Sequence, residues 1–201
     1  MKLSNTYKSI IVIFLVLIAD QVSKIWVKTN MVMGQEIPII GNRVLIHFTE
    51  NNGMAFGYEF GGEYGKIILS IFRIIAVIGI IWYLHHLIEK KAPSGLVICI
   101  SLILAGAIGN IIDSAFYGMI FTESFYNIAT IFPPEGGYAS FLHGRVVDMF
   151  YFPVIQGQYP DWIPLKGGDN FIFFRPVFNV ADAAITTGVL VTLVFYRGFF
   201  N

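Results

Sequence analysis

Long apolar runs alternate along the chain with stretches in which polar and aromatic residues are mixed. A helix needs roughly 20 apolar residues to cross a bilayer. Four runs approach that length: Tyr7–Trp26, Ile67–Leu84, Gly95–Ile112 and Val177–Tyr196. The first resembles a secretory signal in having Lys2 and Lys8 ahead of an apolar stretch, but "LIADQVSKIWVK" has no small-x-small cleavage site, so we interpret it as a retained helix. The pattern predicts a mainly α-helical membrane protein with four transmembrane helices, forming a single domain over residues 1–201.

The two longer connections, residues 30–62 and 118–176, have a different character. In the first, "EIPIIGNRVLIHFTE" places two β-prone runs around a Gly41–Asn42 turn, which predicts a small hairpin or cradle at the membrane surface. The second contains paired prolines and paired glycines, so it is not one helix. It is rich in Phe and Tyr and includes Trp162, a composition that suits the headgroup layer.

Basic residues in the short loops predict the orientation. Lys2, Lys8, Lys90, Lys91 and Arg197 all fall on one side when both termini are placed in the cytoplasm. Cytoplasmic loops carry an excess of lysine and arginine. We therefore expect both termini inside and the two longer connections outside.

The composition agrees with a membrane location and disfavours nucleic-acid binding as a function. The chain is 56% hydrophobic and 13% charged, with a mean hydropathy of +0.69. Lys plus Arg equals Asp plus Glu at 13 each, which removes the case for nucleic-acid binding. The single cysteine, Cys99, lies in an apolar run, and we interpret it as a small buried hydrophobic residue.

Ionisable residues occur within or at the ends of the apolar runs. They are Asp20, Lys24, Arg73, Asp113 and Asp182, and all fall toward the outer leaflet in the predicted orientation. Asp148, in "GRVVDMFYF", can reach the same level. Charged groups in a membrane are costly and usually functional. Four aspartates are thus predicted to converge on one face of the membrane.

Structural interpretations compete for several of these residues. Asp20 and Lys24 are spaced i, i+4 and can pair on one helix face. Arg73 can extend its charge toward the interface. Asn179 with Asp182 has the spacing of a helix N-cap and its third residue. Capping does not explain Asp113, which lies at the end of its helix.

Carboxyl groups held close together favour general acid–base catalysis. Two close carboxyl groups cannot both ionise, so one keeps a proton while the other accepts one from water. That is general acid–base hydrolysis of a peptide bond, which requires no metal ion, and we expect no cofactor. The four histidines form no H-E-x-x-H motif, and no G-x-S-x-G occurs. Ser23 and Lys24 are adjacent and point apart on a helix, which disfavours a serine–lysine pair.

At these positions the sequence resembles the bacterial lipoprotein signal peptidases, or signal peptidases II. "ADQVSK" resembles the first-helix motif, and "NNGMAFG" resembles an Asn-x-Gly-Ala-Ala-Phe motif with Met54 in place of an alanine. "AGAIGNIID" is similar to the third-helix motif, and "GRVVDMF" and "FNVADAAI" to the two that carry catalytic aspartates. The five motifs occur in the family's order across nearly the whole chain.

The resemblance implies an aspartic peptidase of the bacterial cytoplasmic (inner) membrane, with its active site near the outer leaflet. Its substrate would be a prolipoprotein, cut just before a cysteine that carries diacylglycerol; its surroundings would be the phospholipid bilayer, and we expect it to act as a monomer. The resemblance, not the spacing, selects Asp148 and Asp182 as the catalytic pair. It makes six others supporting residues: Asp20, Lys24, Asn51, Asn110, Asp113 and Asn179.

Two departures from the family pattern stand out. Ser114 occupies the position directly after the third-helix aspartate, where the family usually has arginine, and Arg145 is a candidate replacement. Residues 119–143 look like an insertion before "GRVVDM" that can alter substrate access.

Two other functional classes are compatible with the sequence. A small transporter or proton relay can use the same acidic cluster, although the acids lie at one end of the spans and no repeat halves are visible. A non-catalytic lipid-binding scaffold with structural aspartates is the other.

Overall fold

The computed structural model describes residues 3–52, 62–153, 155–164, 167–173 and 176–199. Side chains are described for these residues except 62–64, 155–156 and 170–173. Lys2 and the part of the "NNGMAFG" motif that follows Asn52 lie outside the described residues.

Helices make up most of the described chain. They are α1 (Asn5–Asn30), α2 (Gly62–Glu89), α3 (Ser94–Ile112) and α4 (Val180–Phe195). A π-helical turn, Asp113–Tyr117, and one further helical turn, Gly118–Ile120, extend α3. A short 3-10 turn, Arg197–Phe199, follows α4.

Three of the helices in the described part of the chain are long and apolar enough to cross a membrane. These are Asn5–Asn30, Gly65–Glu89 and Ser94–Ile120. α4 is apolar but has only 16 residues, a length of about 24 Å against a hydrocarbon core of about 30 Å. A fourth span and the predicted orientation therefore stay predictions.

α4 begins three residues later than the apolar run predicts. Val177 and Phe178 form a short strand instead, and the helix starts at Val180 with Asn179 as its N-cap. Hydropathy does not distinguish these two strand residues from a first helical turn, whereas the Asn-x-x-Asp spacing marks the true boundary.

A small antiparallel sheet lies at one end of the helices. Its strands are β1 (Glu36–Ile40), β2 (Val44–Asn51), β3 (Val146–Tyr151) and β6 (Val177–Phe178), in that order across the sheet. The predicted hairpin is β1 and β2, turning through Gly41 at a φ of +50°. β3 comes from the second connection, whereas β6 comes from the start of the fourth apolar run. A separate pair, β4 (Ile155–Gln158) and β5 (Asn170–Phe173), forms a second hairpin.

The sheet packs on the ends of α1 and α3 through one of two described apolar clusters. Val27, Phe48, Val147 and Met149 belong to it. The other cluster joins α2 and α3 near their connection, around Leu87 and Leu96. The outward faces of α1 and α2 expose large apolar side chains such as Phe14 and Trp82, as expected of helices that face lipid.

Two glycines allow α3 to lie close against α4 and α1. A methyl group added at Gly106 would fall 2.2 Å from the backbone oxygen of Ala181. One added at Gly109 would fall 2.7 Å from the Asp20 carboxylate. Close approach at these positions brings the polar residues of α1 and α3 to the start of α4.

We expect Gly106→Ala to destabilise the protein by about 1–3 kcal/mol, because backbone atoms must move to admit the methyl group. Thermal unfolding of the purified protein in detergent measures the effect. Gly79→Ala in α2 is the matched control, since an added methyl group there meets nothing within 4 Å. Equal stability of the two variants would contradict this account of the packing.

Candidate active site

Asp182 lies in the first turn of α4 and is held by a capping box. Its backbone N–H donates to Asn179 Oδ1 at 2.8 Å, and the Asn179 N–H donates to Asp182 Oδ2 at 3.3 Å. The capping interpretation is therefore correct. The cap involves only one of the two carboxylate oxygens, Oδ2. The other, Oδ1, accepts from Asn110 Nδ2 at 2.8 Å. Both oxygens are thus fixed in direction.

Asp148 is brought to the same place by the sheet. It lies on β3, is only 4% exposed, and accepts a hydrogen bond from Asn179 Nδ2 at 2.7 Å. Asn51, at the end of β2, donates to its other carboxylate oxygen. Asn179 therefore contacts both carboxylates: its backbone N–H donates to that of Asp182, and its side-chain amide donates to that of Asp148.

The surroundings of Asp148 favour its protonated form. Burial, and then the nearby Asp182 carboxylate, raise the pKa of Asp148 to about 8. Hydrogen bonding from Asn179 acts in the opposite direction. A carboxyl group with this pKa keeps its proton at neutral pH.

A second group of charged side chains is linked to the two candidate catalytic aspartates through Asn110. Lys24 Nζ is 2.8 Å from both Asp20 Oδ2 and Asp113 Oδ2, and all three side chains are fully buried. Lys24 also donates to Asn110 Oδ1 at 2.9 Å. The pairing of Asp20 with Lys24 that their spacing predicts is therefore confirmed, and it extends to Asp113.

This buried group fixes the elements that carry the catalytic candidates. Asp20 Oδ1 accepts from the backbone of Ala181, in the first turn of α4, at 2.9 Å. Asp113 Oδ2 accepts from the backbone of Val147, next to Asp148 on β3, at 3.2 Å. Asp20 and Asp113 thus each join a cation to the backbone of another element, which supports their positioning role.

Gln21 also contacts the residues of the site, although nothing in the sequence analysis singles it out. Its side-chain amide donates to Asp20 at 3.0 Å and to Asp113 at 3.1 Å, and its oxygen accepts from Tyr117 at 3.2 Å. Its position directly after Asp20 in "ADQVSK" was the available signal. An uncharged residue among charged ones is easily passed over.

The two arginines occupy different places. Arg73, on α2, is close enough to Asp182, Asp113 and Asp148 to interact electrostatically with them. Arg145 points elsewhere: its guanidinium pairs with Glu123 and lies 3.4 Å from Glu50. The Ser114 hydroxyl donates to the Asn110 backbone oxygen at 3.1 Å.

Comparisons with known proteins agree on one family. A sequence profile described as signal peptidase (SPase) II matches residues 12–197. The lipoprotein signal peptidase of Porphyromonas gingivalis is 52% identical over 185 residues, covering 92% of this chain and 80% of that protein. That of Amoebophilus asiaticus is 43% identical over 178 residues, covering 87% of this chain and 71% of that protein.

A solved structure described as a bacterial membrane enzyme is similar in fold. It has a TM-score of 0.59 and 27% sequence identity, covering 94% of this chain and 92% of that one. The match therefore extends over the helices and the sheet together. With the profile and the relatives, it confirms the resemblance seen in the motifs: the chain belongs to the signal peptidase II family, the lipoprotein signal peptidases, membrane proteases that process prolipoprotein signal peptides.

Proposed function

We propose that the protein is an aspartic-type endopeptidase whose catalytic residues are Asp148 and Asp182. The observation that carries the proposal is the shared hydrogen-bond network: Asn179 contacts both carboxylates, and Asn110 joins it to Asp182. Two acids held this way, with Asp148 buried, suit general acid–base hydrolysis. Membership of a protease family weighs against the transporter and the scaffold.

The different surroundings of the two acids support different roles for them. Asp148, with its pKa raised to about 8, carries the proton at neutral pH. Asp182 accepts a proton from water as the water oxygen attacks the scissile carbonyl carbon. Asp148 donates its proton to the carbonyl oxygen, which gives a neutral tetrahedral diol. On collapse, Asp182 passes its proton to the leaving nitrogen and Asp148 regains one from the diol, so both acids return to their starting states.

The position of the acids fits a substrate anchored in lipid. Asp148 lies on a strand beyond the spanning helices, and Asp182 lies in the first turn of α4. A cysteine carrying diacylglycerol is held at the membrane surface, so its preceding peptide bond lies at this depth. The proposed substrate is therefore a diacylglyceryl-modified prolipoprotein, cleaved before that cysteine.

The remaining proposals concern topology. Four spans with both termini inside place the acids at the outer leaflet of the bacterial cytoplasmic membrane. We also propose that the protein acts as a monomer.

The pH dependence of cleavage tests the proposal. With a diacylglyceryl-modified precursor peptide as substrate, we expect kcat to fall as the pH rises above about 8, because Asp148 then loses the proton it must donate. A second fall in kcat is expected on the acid side, when the pair takes up a further proton, and both apparent pKa values belong to the pair.

The control substrate is the same precursor without its lipid, which we expect to be cleaved poorly. Cleavage of both substrates at equal rates would contradict the substrate assignment. A rate that stays flat from about pH 5 to about pH 10, in protein shown to remain folded, would contradict the acid–base pair.

A further inference from the structure

The insertion at residues 119–143 is joined to α1 and β2 by a group of polar side chains, of which Lys28, Glu50 and Ser124 are buried. We call this group the Lys28 cluster: Lys28, Glu50, Glu123, Ser124 and Arg145. In the described part of the chain, these side chains are separate from the hydrogen bonds around Asp148 and Asp182. The cluster is nevertheless adjacent to them, because Glu50 directly precedes Asn51 in β2.

Lys28 and Glu50 form the centre of the cluster. Lys28 is fully buried and pairs with Glu50, whose side chain is 1% exposed. Lys28 Nζ also donates to Ser124 Oγ at 2.9 Å, and Ser124 Oγ donates to the same Glu50 oxygen at 3.0 Å. A buried ion pair is costly unless hydrogen bonds complete it. Ser124, from the insertion, supplies that completion.

Aromatic rings of the insertion enclose both cations of the cluster. Lys28 Nζ lies 5.2 Å from the ring centroids of Phe121 and Tyr138. The Arg145 guanidinium lies 4.9 Å from the Tyr138 ring and 5.3 Å from that of Phe125. Distances under about 6 Å are those of attractive cation–π contacts. Aromatic rings of the insertion therefore help to stabilise the positions of the Lys28 and Arg145 cations.

Backbone hydrogen bonds attach the same segment to the end of α1. The Met33 N–H donates to the Ser124 oxygen at 3.0 Å, and the Ala129 N–H donates to the Lys28 oxygen at 3.1 Å. The part of the insertion near Ser124 is thus built into the fold beside the first helix. It can transmit a mechanical constraint to β2 through Glu50.

The register of β2 connects the cluster to the candidate catalytic residue. Glu50 is opposite Val147 on β3, Asn51 is opposite Val146, and Thr49 is opposite Asp148. Successive side chains on a strand point to opposite faces. Glu50 therefore faces the Lys28 cluster while Asn51 faces away from it and donates to Asp148 Oδ2.

We propose that Glu50 and Lys28 are positioning residues for the peptidase reaction, and that the insertion acts through them to hold Asn51 against Asp148. Their role depends on the proposed function, since it requires Asp148 to take part in the chemistry. It gives the insertion a defined purpose: Ser124 completes a buried ion pair that fixes the strand end from which Asn51 reaches the active site.

Kinetics of Glu50→Gln, Asn51→Ala and the double variant test the role. Glu50→Gln keeps the size of the side chain and removes the charge that pairs with Lys28. We expect it to lower kcat by about 10- to 100-fold through loss of alignment, with KM for the lipidated precursor changed less than about 3-fold. Glu36→Gln is the matched control, because the Glu36 side chain is exposed on β1 and pairs with His47 among the described residues.

The double variant separates positioning from a general loss of stability. If Glu50 acts through Asn51, the double variant has a kcat close to that of the slower single variant; independent effects would multiply. Multiplied effects, or a kcat for Glu50→Gln equal to that of Glu36→Gln in folded protein, would overturn the proposal. Ser124→Ala keeps both charges and carries the same test if Glu50→Gln does not fold.

The control for the underlying function is Asp148→Asn in the same assay. If Asp148→Asn is inactive while Glu50→Gln behaves as the wild type, the positioning role alone is wrong. If Asp148→Asn keeps full activity, the proposed function itself is wrong.

Discussion

Asp148→Asn and Asp182→Asn are each expected to lower the rate of precursor cleavage by about 10²- to 10⁴-fold, the range that general acid–base catalysis contributes. Asparagine has nearly the shape of aspartate but can neither give up a proton as Asp148 must nor accept one as Asp182 must. The helix cap should survive, because Asn179 caps Asp182 through the backbone N–H of that residue. Size change of a lipidated precursor on a gel, followed over time, measures the rate.

Asp169→Asn is the matched control, since Asp169 is exposed in the loop before β5. Thermal unfolding of each variant is measured together with the cleavage rate. If the protein were a non-catalytic scaffold with structural aspartates, the substitutions would lower its stability and there would be no turnover to lose. Wild-type cleavage by either the Asp148 or the Asp182 variant would remove that residue from the catalytic pair.

The acids could be located from the sequence, but their separate roles could not be derived from residue type and spacing. Apolar runs located α1, α2 and α3 to within a few residues, because lipid requires long uninterrupted stretches. Residue type and spacing did not choose the catalytic pair among the four aspartates; the family resemblance did. In the structure, Asp20 and Asp113 share a contact with Lys24, which depends on how close α1 lies to α3.

The sheet shows a second limit of prediction from sequence. The hairpin of β1 and β2 is local and carries its own turn signal at Gly41, so it was predictable. β3 joins it from about 100 residues further along the chain, pairing Thr49 with Asp148. No local pattern reports such a partner, although it is this pairing that brings Asp148 to Asn51.

Lys28 and Glu50 show the same limit more sharply. Lys28 lies near the end of a spanning helix, where a lysine ordinarily extends toward water. Instead it is fully buried against Glu50 and Ser124, a residue 96 positions away. Burial of this kind is a property of the completed fold, so the contacts of residues 119–143 could not be predicted from the sequence.

Lys24→Met is expected to destabilise the protein by about 3–5 kcal/mol, the usual cost of removing one partner from a buried charge pair. Methionine fills most of the space of the lysine stem but leaves Asp20 and Asp113 without the cation that lies 2.8 Å from each. Both carboxylates are fully buried, so water cannot replace it. Thermal unfolding in detergent at neutral pH, or resistance to proteolysis in membranes, measures the loss.

Lys8→Met, on the same helix, separates this effect from the loss of any lysine. Lys8 Nζ donates to Ser94 Oγ at 2.9 Å and pairs with no carboxylate among the described residues, so we expect a cost of about 1 kcal/mol. Adding Asp113→Asn to Lys24→Met should restore part of the stability, because one of the two unpaired charges is then absent. If Lys24→Met unfolds no earlier than Lys8→Met, the buried charges of Asp20 and Asp113 do not depend on Lys24, and the positioning of Ala181 and Val147 must come from packing alone.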